Sequence, residues 1–171
     1  MFIITPNPNK EMKIVLRGIK QKLGHIPPHF ELFATINPLR FTMFLEEISY
    51  LTSHPHIQSD FFIMLRYSVA SDNGFTYCLK FNQEWLLAKG YTMEQLHLLE
   101  GSEKLLPLDE KHQALFDAVH LALYSPERFT PEQVKKLKSA GWSDADIFDA
   151  VDHGAFLFRF SKVLKAYSKK G

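Results

Sequence analysis

Apolar residues recur along this chain at the three- and four-residue spacing of amphipathic helices, and strict alternation of apolar and polar positions never persists long enough to predict a sheet. The first apolar stripe predicts a helix from roughly Lys10 to Leu23 that ends at Gly24, and it consists of Met12, Val15, Leu16, Ile19 and Leu23. The next segments predict a short helix from Pro28 to Ile36 and another that begins at Asn37-Pro38. The pattern is typical of an all-α protein.

The segment 58–72 is the most apolar of the predicted helices. Its apolar side chains surround most of the helix and therefore indicate a central position: Phe61, Phe62, Met64, Leu65, Tyr67 and Val69. Asn73 and Gly74 end it, because both residues tolerate the left-handed conformation. The following helix is predicted over 75–90, which places Cys78 in its first turn.

Start signals predict four more helices in the second half of the chain. They are the capping box 92–95, the cap at Asp109, the capping box 130–133 with proline at the first helical position, and the segment 143–146, which opens a long last helix towards Tyr167. Gly101 and Gly141 end two of them, and Tyr124 lies near the end of the helix that Asp109 begins. Without a low-complexity linker, we expect one domain over 1–171, with about seven or eight helices.

Composition narrows the possible partners and compartment. The 171 residues are 46% hydrophobic and carry a net charge of +1 with acids and bases interspersed, so no field attracts nucleic acid or an anionic membrane. A single cysteine excludes an intrachain disulfide and favours a reducing compartment. No signal-peptide pattern and no apolar run of about 20 residues is present. We therefore expect a cytoplasmic protein with neither membrane nor nucleic acid as a partner.

Cys78 has two interpretations that the sequence leaves open. In the first turn of a helix, free backbone N–H groups and the positive end of the helix dipole stabilise a thiolate, which would make Cys78 a reactive nucleophile. Alternatively, Cys78 shares one helix face with Phe81 and Trp85 and packs as a small apolar residue. Burial among apolar groups would then make the thiol inert.

The eight histidines give only weak evidence for a metal site. The close pairs are His25 with His29 and His54 with His56, and the second pair is expected on a solvated, proline-containing loop. His153, on the last helix, is expected to be half-buried or to lie in an interface. No nucleotide-binding or hydrolase motif occurs. We therefore predict neither a metal nor a cofactor.

Four blocks of sequence, taken in order, resemble the AhpD-like, or carboxymuconolactone decarboxylase, group of all-helical proteins. They are GHIPPHFELFATINP, then SDNG followed by FTYCLKFN, then KLLPLDEKHQALFDAV, and finally TPEQVKKLKSAGWSDADIFDAVDHGAF. The resemblance covers nearly the whole chain after residue 10. It implies an AhpD-like helical bundle that assembles as a homo-oligomer, either a trimer or a hexamer.

Peroxide-reducing members of that group carry CxxC, a histidine four residues further on and an upstream glutamate. The resemblance implies that Cys78 occupies the position of the cysteine that attacks peroxide. Phe75 stands at the position of the resolving cysteine, Asn82 at that of the histidine and Ile63 near that of the glutamate. The CxxCxxxH motif is therefore degenerate. Nearby residues that could substitute for the missing groups are Tyr77, Asp60, Arg66 and the histidines of the 54–56 turn.

Three functions remain as hypotheses. The first is an alkylhydroperoxidase-like or peroxiredoxin-type antioxidant activity in which Cys78 is the nucleophile, Asn82 and Tyr77 are its hydrogen-bond partners, and an external thiol is the reductant. The second is a catalytically degenerate oligomer, structural or binding an apolar small molecule between Phe75, Phe81 and Trp85. The third, a decarboxylase or isomerase, follows from the resemblance alone.

Overall fold

A computed structural model describes residues 2–169 and confirms the all-α prediction. These residues form nine α-helices rather than seven or eight, together with one 3₁₀ helix, Pro126–Arg128. The α-helices are α1 Lys10–Leu23, α2 Pro28–Ile36, α3 Pro38–Thr52, α4 Ser59–Asp72, α5 Thr76–Ala88, α6 Met93–His97, α7 Glu110–Tyr124, α8 Pro131–Ser139 and α9 Asp144–Tyr167. Within the described part of the chain, the sole β feature is an isolated bridge between Phe2 and Ser168.

Local capping explains where several helices begin and end. The Asn9 side chain accepts a hydrogen bond from the Met12 N–H, and Gly24 adopts the left-handed φ of 77° that ends α1. The capping box at Thr92 and Gln95 is present in full, although α6 ends at His97 rather than near Gly101. The stop at Gly24 and the box at Thr92 were predicted from the sequence because capping depends on neighbours a few residues apart, whereas the Asn9 cap was not predicted.

The caps of the last two helices differ from one another. The capping box predicted at Thr130 is wrong, because the Thr130 side chain makes no hydrogen bond to the backbone of α8. At the start of α9 the pairing is reciprocal: the Ser143 N–H donates to Asp146 Oδ2, and the Asp146 N–H donates to Ser143 Oγ. This box fixes the first turn of the longest helix.

The described residues group into two compact units, with one boundary after Thr52 and a second after Ser161, within α9. The first unit ends at Thr52 and includes the chain from Lys162 onward. Its core is a cluster of buried residues from α1, α2 and α3: Met12, Leu16, Phe30, Ala34 and Phe41. The stripe predicted for α1 therefore packs as expected. The prediction of a single domain over 1–171 stays a prediction.

The second unit is Ser53–Ser161, and it contains Cys78. Apart from Arg66, every residue from Phe61 to Ala70 of α4 is buried, as the predicted central position requires. Gly154 lets α9 approach α7 closely, because a Cβ at this position would come within 2.9 Å of side-chain atoms of Val119 and Leu123. Among the helices described, none is both long and apolar enough to cross a membrane.

Candidate active site

Cys78 is the third residue of α5 and lies in the first helical turn, as predicted. Its side chain is buried, with a residue exposure of 4%. The Sγ atom lies 3.4 Å from the hydroxyl oxygen of Ser161 on α9, and either atom can donate the hydrogen bond. The sulfur is therefore both packed in the interior and in contact with a polar group.

Arg66 is the charged residue in the otherwise apolar middle of α4. Its Nε donates to Asn82 Oδ1 at 2.9 Å, and its Nη1 donates to His153 Nε2 at 2.8 Å. Burial lowers the pKa of Arg66 to about 10, and a thiolate charge on Cys78 opposes that shift. Arg66 is thus half-buried, and its guanidinium is shielded from water enough to lower its pKa and close enough to Cys78 to interact with a thiolate charge.

The two hydrogen-bond acceptors of Arg66 are both neutral. Among residues 2–169, no carboxylate lies within ion-pair distance of this guanidinium. A partly desolvated cation without an acidic partner is costly, because it loses part of its hydration and gains no counter-charge in return. A thiolate at Cys78 would provide the anionic charge that is otherwise absent around Arg66.

Asn82, which stands at the histidine position of the related motif, joins Arg66 to the start of α5. Its Nδ2 donates to the backbone carbonyl oxygen of Cys78 at 2.7 Å, one helical turn earlier, while its Oδ1 accepts from Arg66. The residue predicted to bond Cys78 therefore contacts its backbone. An amide cannot accept the thiol proton as a base, so Asn82 positions Arg66 and does not replace the missing histidine.

His153 is fully buried, with 1% exposure, so the expectation of a half-buried residue is wrong. It packs between aromatic rings: Phe62 meets its edge at 5.3 Å, and Phe156 stacks on it at 5.6 Å. Burial first, and the charge of Arg66 second, lower the pKa of His153 well below its ordinary value. The ring is therefore neutral at physiological pH.

The aromatic residues predicted to bind a ligand make ring contacts along α5 and with α9. Tyr77, Phe81 and Trp85 form a row along α5, with ring centroids 6.5 Å and 6.1 Å apart, and Tyr77 is 39% exposed. Phe75 is buried and packs edge to face against Phe158 at 6.3 Å.

The other residues considered as substitutes lie in contacts of their own. Ile63 is buried among the apolar residues of α4. Asp60 pairs with Lys89 at 2.7 Å and accepts from the Tyr91 hydroxyl at 2.8 Å. His54 is not on a solvated loop as expected, because its side chain is 2% exposed and bonds Asp149 at 3.3 Å. Arg66, by contrast, interacts with Cys78.

Sequence reasoning missed Ser161 and assigned His153 no role at the site. Both lie on one face of α9, eight residues apart with the buried Leu157 midway, so they are polar positions within an apolar stripe. A charged residue in the most apolar helix, Arg66, was a second usable signal. Within the described residues, no group of three or more His, Cys, Asp or Glu side chains has the geometry to hold a metal ion.

Comparisons with known proteins identify the fold through solved structures. No protein-family model and no curated protein matches the sequence. A solved structure of an uncharacterized peroxidase-related protein from Silicibacter sp. TM1040 is 18% identical, with a TM-score of 0.84 over 99% of this chain and 91% of that one. The alkylhydroperoxidase AhpD core of an uncharacterized peroxidase-related protein from Ralstonia eutropha JMP134 is 15% identical, with a TM-score of 0.70 over 94% and 84%.

A third solved structure gives the same result. It is a protein of unknown function from Agrobacterium tumefaciens, named as a candidate antioxidant defence protein AhpD, and it is 15% identical, with a TM-score of 0.62 over 81% of this chain and 94% of that one. At these identities the likeness shows the fold. The resemblance stated from the sequence is thereby confirmed in that respect: the chain has the AhpD-like fold.

Proposed function

We propose that this protein, which has the AhpD-like fold, belongs to the AhpD-like family and reduces small peroxides with the single cysteine Cys78 and an external thiol. The observation that supports this most is the half-buried Arg66, which has two neutral acceptors and, among the described residues, no carboxylate partner. A nearby cation favours the thiolate, which is the nucleophilic form of cysteine.

Arg66 takes over part of the role of the base that the degenerate motif lacks. It cannot remove the thiol proton, but it raises the fraction of Cys78 that is already ionised at neutral pH. The position of Cys78 in the first turn of α5 adds the favourable end of the helix dipole. The thiol proton passes to solvent before the reaction, so no side-chain base is required.

The reaction then balances as follows. The Cys78 thiolate attacks one peroxide oxygen, the O–O bond breaks, and the leaving oxygen takes up a proton as water or an alcohol. Cys78 is now a sulfenic acid, which condenses with an external thiol to give a mixed disulfide and water. A second external thiol releases the Cys78 thiol and a small-molecule disulfide. Phe75 at the resolving position cannot form an internal disulfide, so both thiols come from outside the chain.

Burial of the sulfur restricts the peroxides that fit. With Cys78 only 4% exposed, hydrogen peroxide meets less steric resistance than a bulky organic hydroperoxide. We therefore expect a higher kcat/KM for hydrogen peroxide than for cumene hydroperoxide.

Steady-state turnover with hydrogen peroxide and a dithiol donor tests this function. We expect turnover in the wild-type protein and none above background in Cys78→Ser, which keeps the size of the residue and removes the nucleophile. Cys78→Ala serves as the matched control for a residual effect of the hydroxyl group. Equal turnover in all three proteins would refute the proposal.

One observation favours the alternative, a catalytically degenerate oligomer: the packed sulfur and its contact with Ser161 are also what an inert core cysteine would show. An aromatic disulfide reagent separates the two functions. Reaction of the thiol only after unfolding, together with absent turnover, would favour the degenerate oligomer. Rapid reaction of the folded protein would count against it.

Assembly and location belong to the same proposal. We propose a homo-oligomer, a trimer or a hexamer, in the cytoplasm. The exposed apolar residues of α3, which include Leu39 at 71% and Met43 at 51% exposure, support assembly because such residues are commonly covered in oligomers. Light scattering coupled to size-exclusion chromatography measures the mass, and a monomer would contradict this part of the proposal.

A further inference from the structure

We propose that His153 is a positioning residue for the Cys78 thiolate: it holds Arg66 through a neutral acceptor, so that the guanidinium is oriented without being neutralised. The inference deepens the proposed function, and it rests on that function only in treating Cys78 as the reacting group. It assigns a role to a residue that neither the motif nor the fold resemblance identified.

The hydrogen bonds determine which nitrogen of His153 carries the proton. Arginine can only donate, so the contact of 2.8 Å between Arg66 Nη1 and His153 Nε2 requires a lone pair on Nε2. The single proton of the neutral imidazole must then lie on Nδ1. A protonated ring would have no free lone pair and would place two cations against each other.

The structure leaves that proton without an acceptor. His153 Nδ1 is a buried side-chain nitrogen with no hydrogen-bond partner among the described residues. An unpaired buried donor is destabilising, and a leucine between Phe62 and Phe156 would avoid that cost altogether. Because the bond with Arg66 is the one polar interaction that the imidazole makes among residues 2–169, holding Arg66 is the role that accounts for the histidine.

The neutrality of the acceptor is what makes this arrangement useful. A carboxylate at position 153 would hold Arg66 equally well but would cancel the charge that favours the thiolate. The second anchor, the Asn82 amide oxygen, is neutral as well. Two neutral anchors at Nε and Nη1 therefore fix the guanidinium while leaving its charge available to Cys78.

The other ionisable groups near this cluster are already paired. Asp149 lies one turn before His153 on α9 and accepts from His54 Nε2 at 3.3 Å. On α5, the ionisable group that interacts with Arg66 is Cys78. A change of charge at position 153 is therefore expected to alter the charge that Arg66 presents to Cys78, and with it the ionisation of the Cys78 thiol.

The matched pair His153→Gln and His153→Glu tests the inference, because the two side chains have the same shape and differ in charge. Since the protein has one cysteine, the ultraviolet absorbance of the thiolate and the rate of alkylation report on Cys78 alone as pH is raised. We expect His153→Gln to keep the wild-type midpoint pH of Cys78 ionisation, because its amide oxygen is a neutral acceptor. We expect His153→Glu to raise the midpoint by about one pH unit or more, equivalent to about tenfold less thiolate at neutral pH.

His153→Leu provides a second comparison should the buried glutamate prevent folding. It removes the anchor without adding charge, so we expect a midpoint above that of His153→Gln. Circular dichroism and thermal unfolding establish that each variant is folded. Equal midpoints for Gln, Leu and Glu at position 153 would overturn the inference.

The same measurements separate failure of the inference from failure of the proposed function. A midpoint that follows the charge at position 153, in a protein without peroxide turnover, would support the positioning role and refute the peroxidase. Turnover with a midpoint that ignores position 153 would do the opposite.

Discussion

His54 and His153 are both buried histidines of the second unit, yet their hydrogen bonds differ completely. His54 Nδ1 accepts from the backbone N–H groups of His56 and Ile57, and its Nε2 contacts the Asp149 carboxylate. His153 accepts from a cation and leaves its own N–H unpaired. The first histidine has a partner at each nitrogen, whereas the second lacks one for its own donor.

This difference distinguishes a polar cluster that stabilises the fold from one that can support chemistry. Carboxylates surround the His54 turn, where Asp146 and Asp149 provide a negative charge for each potential positive charge. Around Arg66 both acceptors are neutral, so its positive charge is not cancelled. A neutralised cluster stabilises a turn, whereas a cation that keeps its charge can shift the ionisation of a neighbour.

The largest expected effect comes from removing the cation itself. Arg66→Met keeps much of the side-chain volume and removes the positive charge beside Cys78. We expect the midpoint of thiol ionisation to rise above the free-cysteine value of about 8.5, and alkylation at neutral pH to slow by about tenfold or more. Arg66→Lys, which keeps the charge but not the two-point anchoring, should give an intermediate midpoint. An unchanged midpoint in Arg66→Met would show that the charge of Arg66 does not influence the ionisation of Cys78.

A smaller effect, on stability alone, is expected at the other histidine. His54→Ala removes the acceptor of the Ile57 N–H and the partner of Asp149, which should lower the free energy of unfolding by about 1–3 kcal/mol. His56→Ala is the control, because its side chain is 58% exposed and its contact with Asp146 is worth at most about 1 kcal/mol. Denaturant unfolding measures both. A shift of the Cys78 midpoint in either variant would mean that the two regions are not independent.

The smallest effect is the pH dependence of the neutralised region. Burial opposes the charged form of Asp146, but hydrogen bonds from Ser143 and His56 outweigh it and lower the pKa of the carboxyl below its ordinary value. A lowered pKa in the folded state contributes stability above the unfolded pKa of about 3.9, and that stability is lost as pH falls through the folded value.

Unfolding of wild type and Asp146→Asn across acidic pH tests this contribution. The stability difference should stay constant above about pH 5 and shrink as the pH falls below about 4. A difference that stays constant throughout the acidic range would show that the carboxylate charge contributes nothing to stability.

Much of the fold was predictable because its signals are local. The apolar stripe of α1, the apolar circumference of α4 and the caps at Gly24 and Asp109 each involve residues within a few positions of one another. The resemblance to the AhpD-like group added the arrangement of these helices into an AhpD-like bundle, which the solved structures confirm as the fold. Thr130 shows the limit of such signals. It shares with Thr92 a glutamine three residues further on, yet its side chain makes no capping bond.

By itself, the sequence determined the helices, the position of Cys78 in the first turn of α5 and the absence of the second cysteine, the histidine and the glutamate of the related motif. Only the tertiary structure decided which side chains join the cluster around Cys78, because Ser161 and His153 come from α9, far along the chain from Arg66 on α4 and Asn82 on α5. The physical reason is that helical periodicity tells which face of a helix is buried, whereas a hydrogen bond such as that between Arg66 and His153 depends on how two buried faces meet.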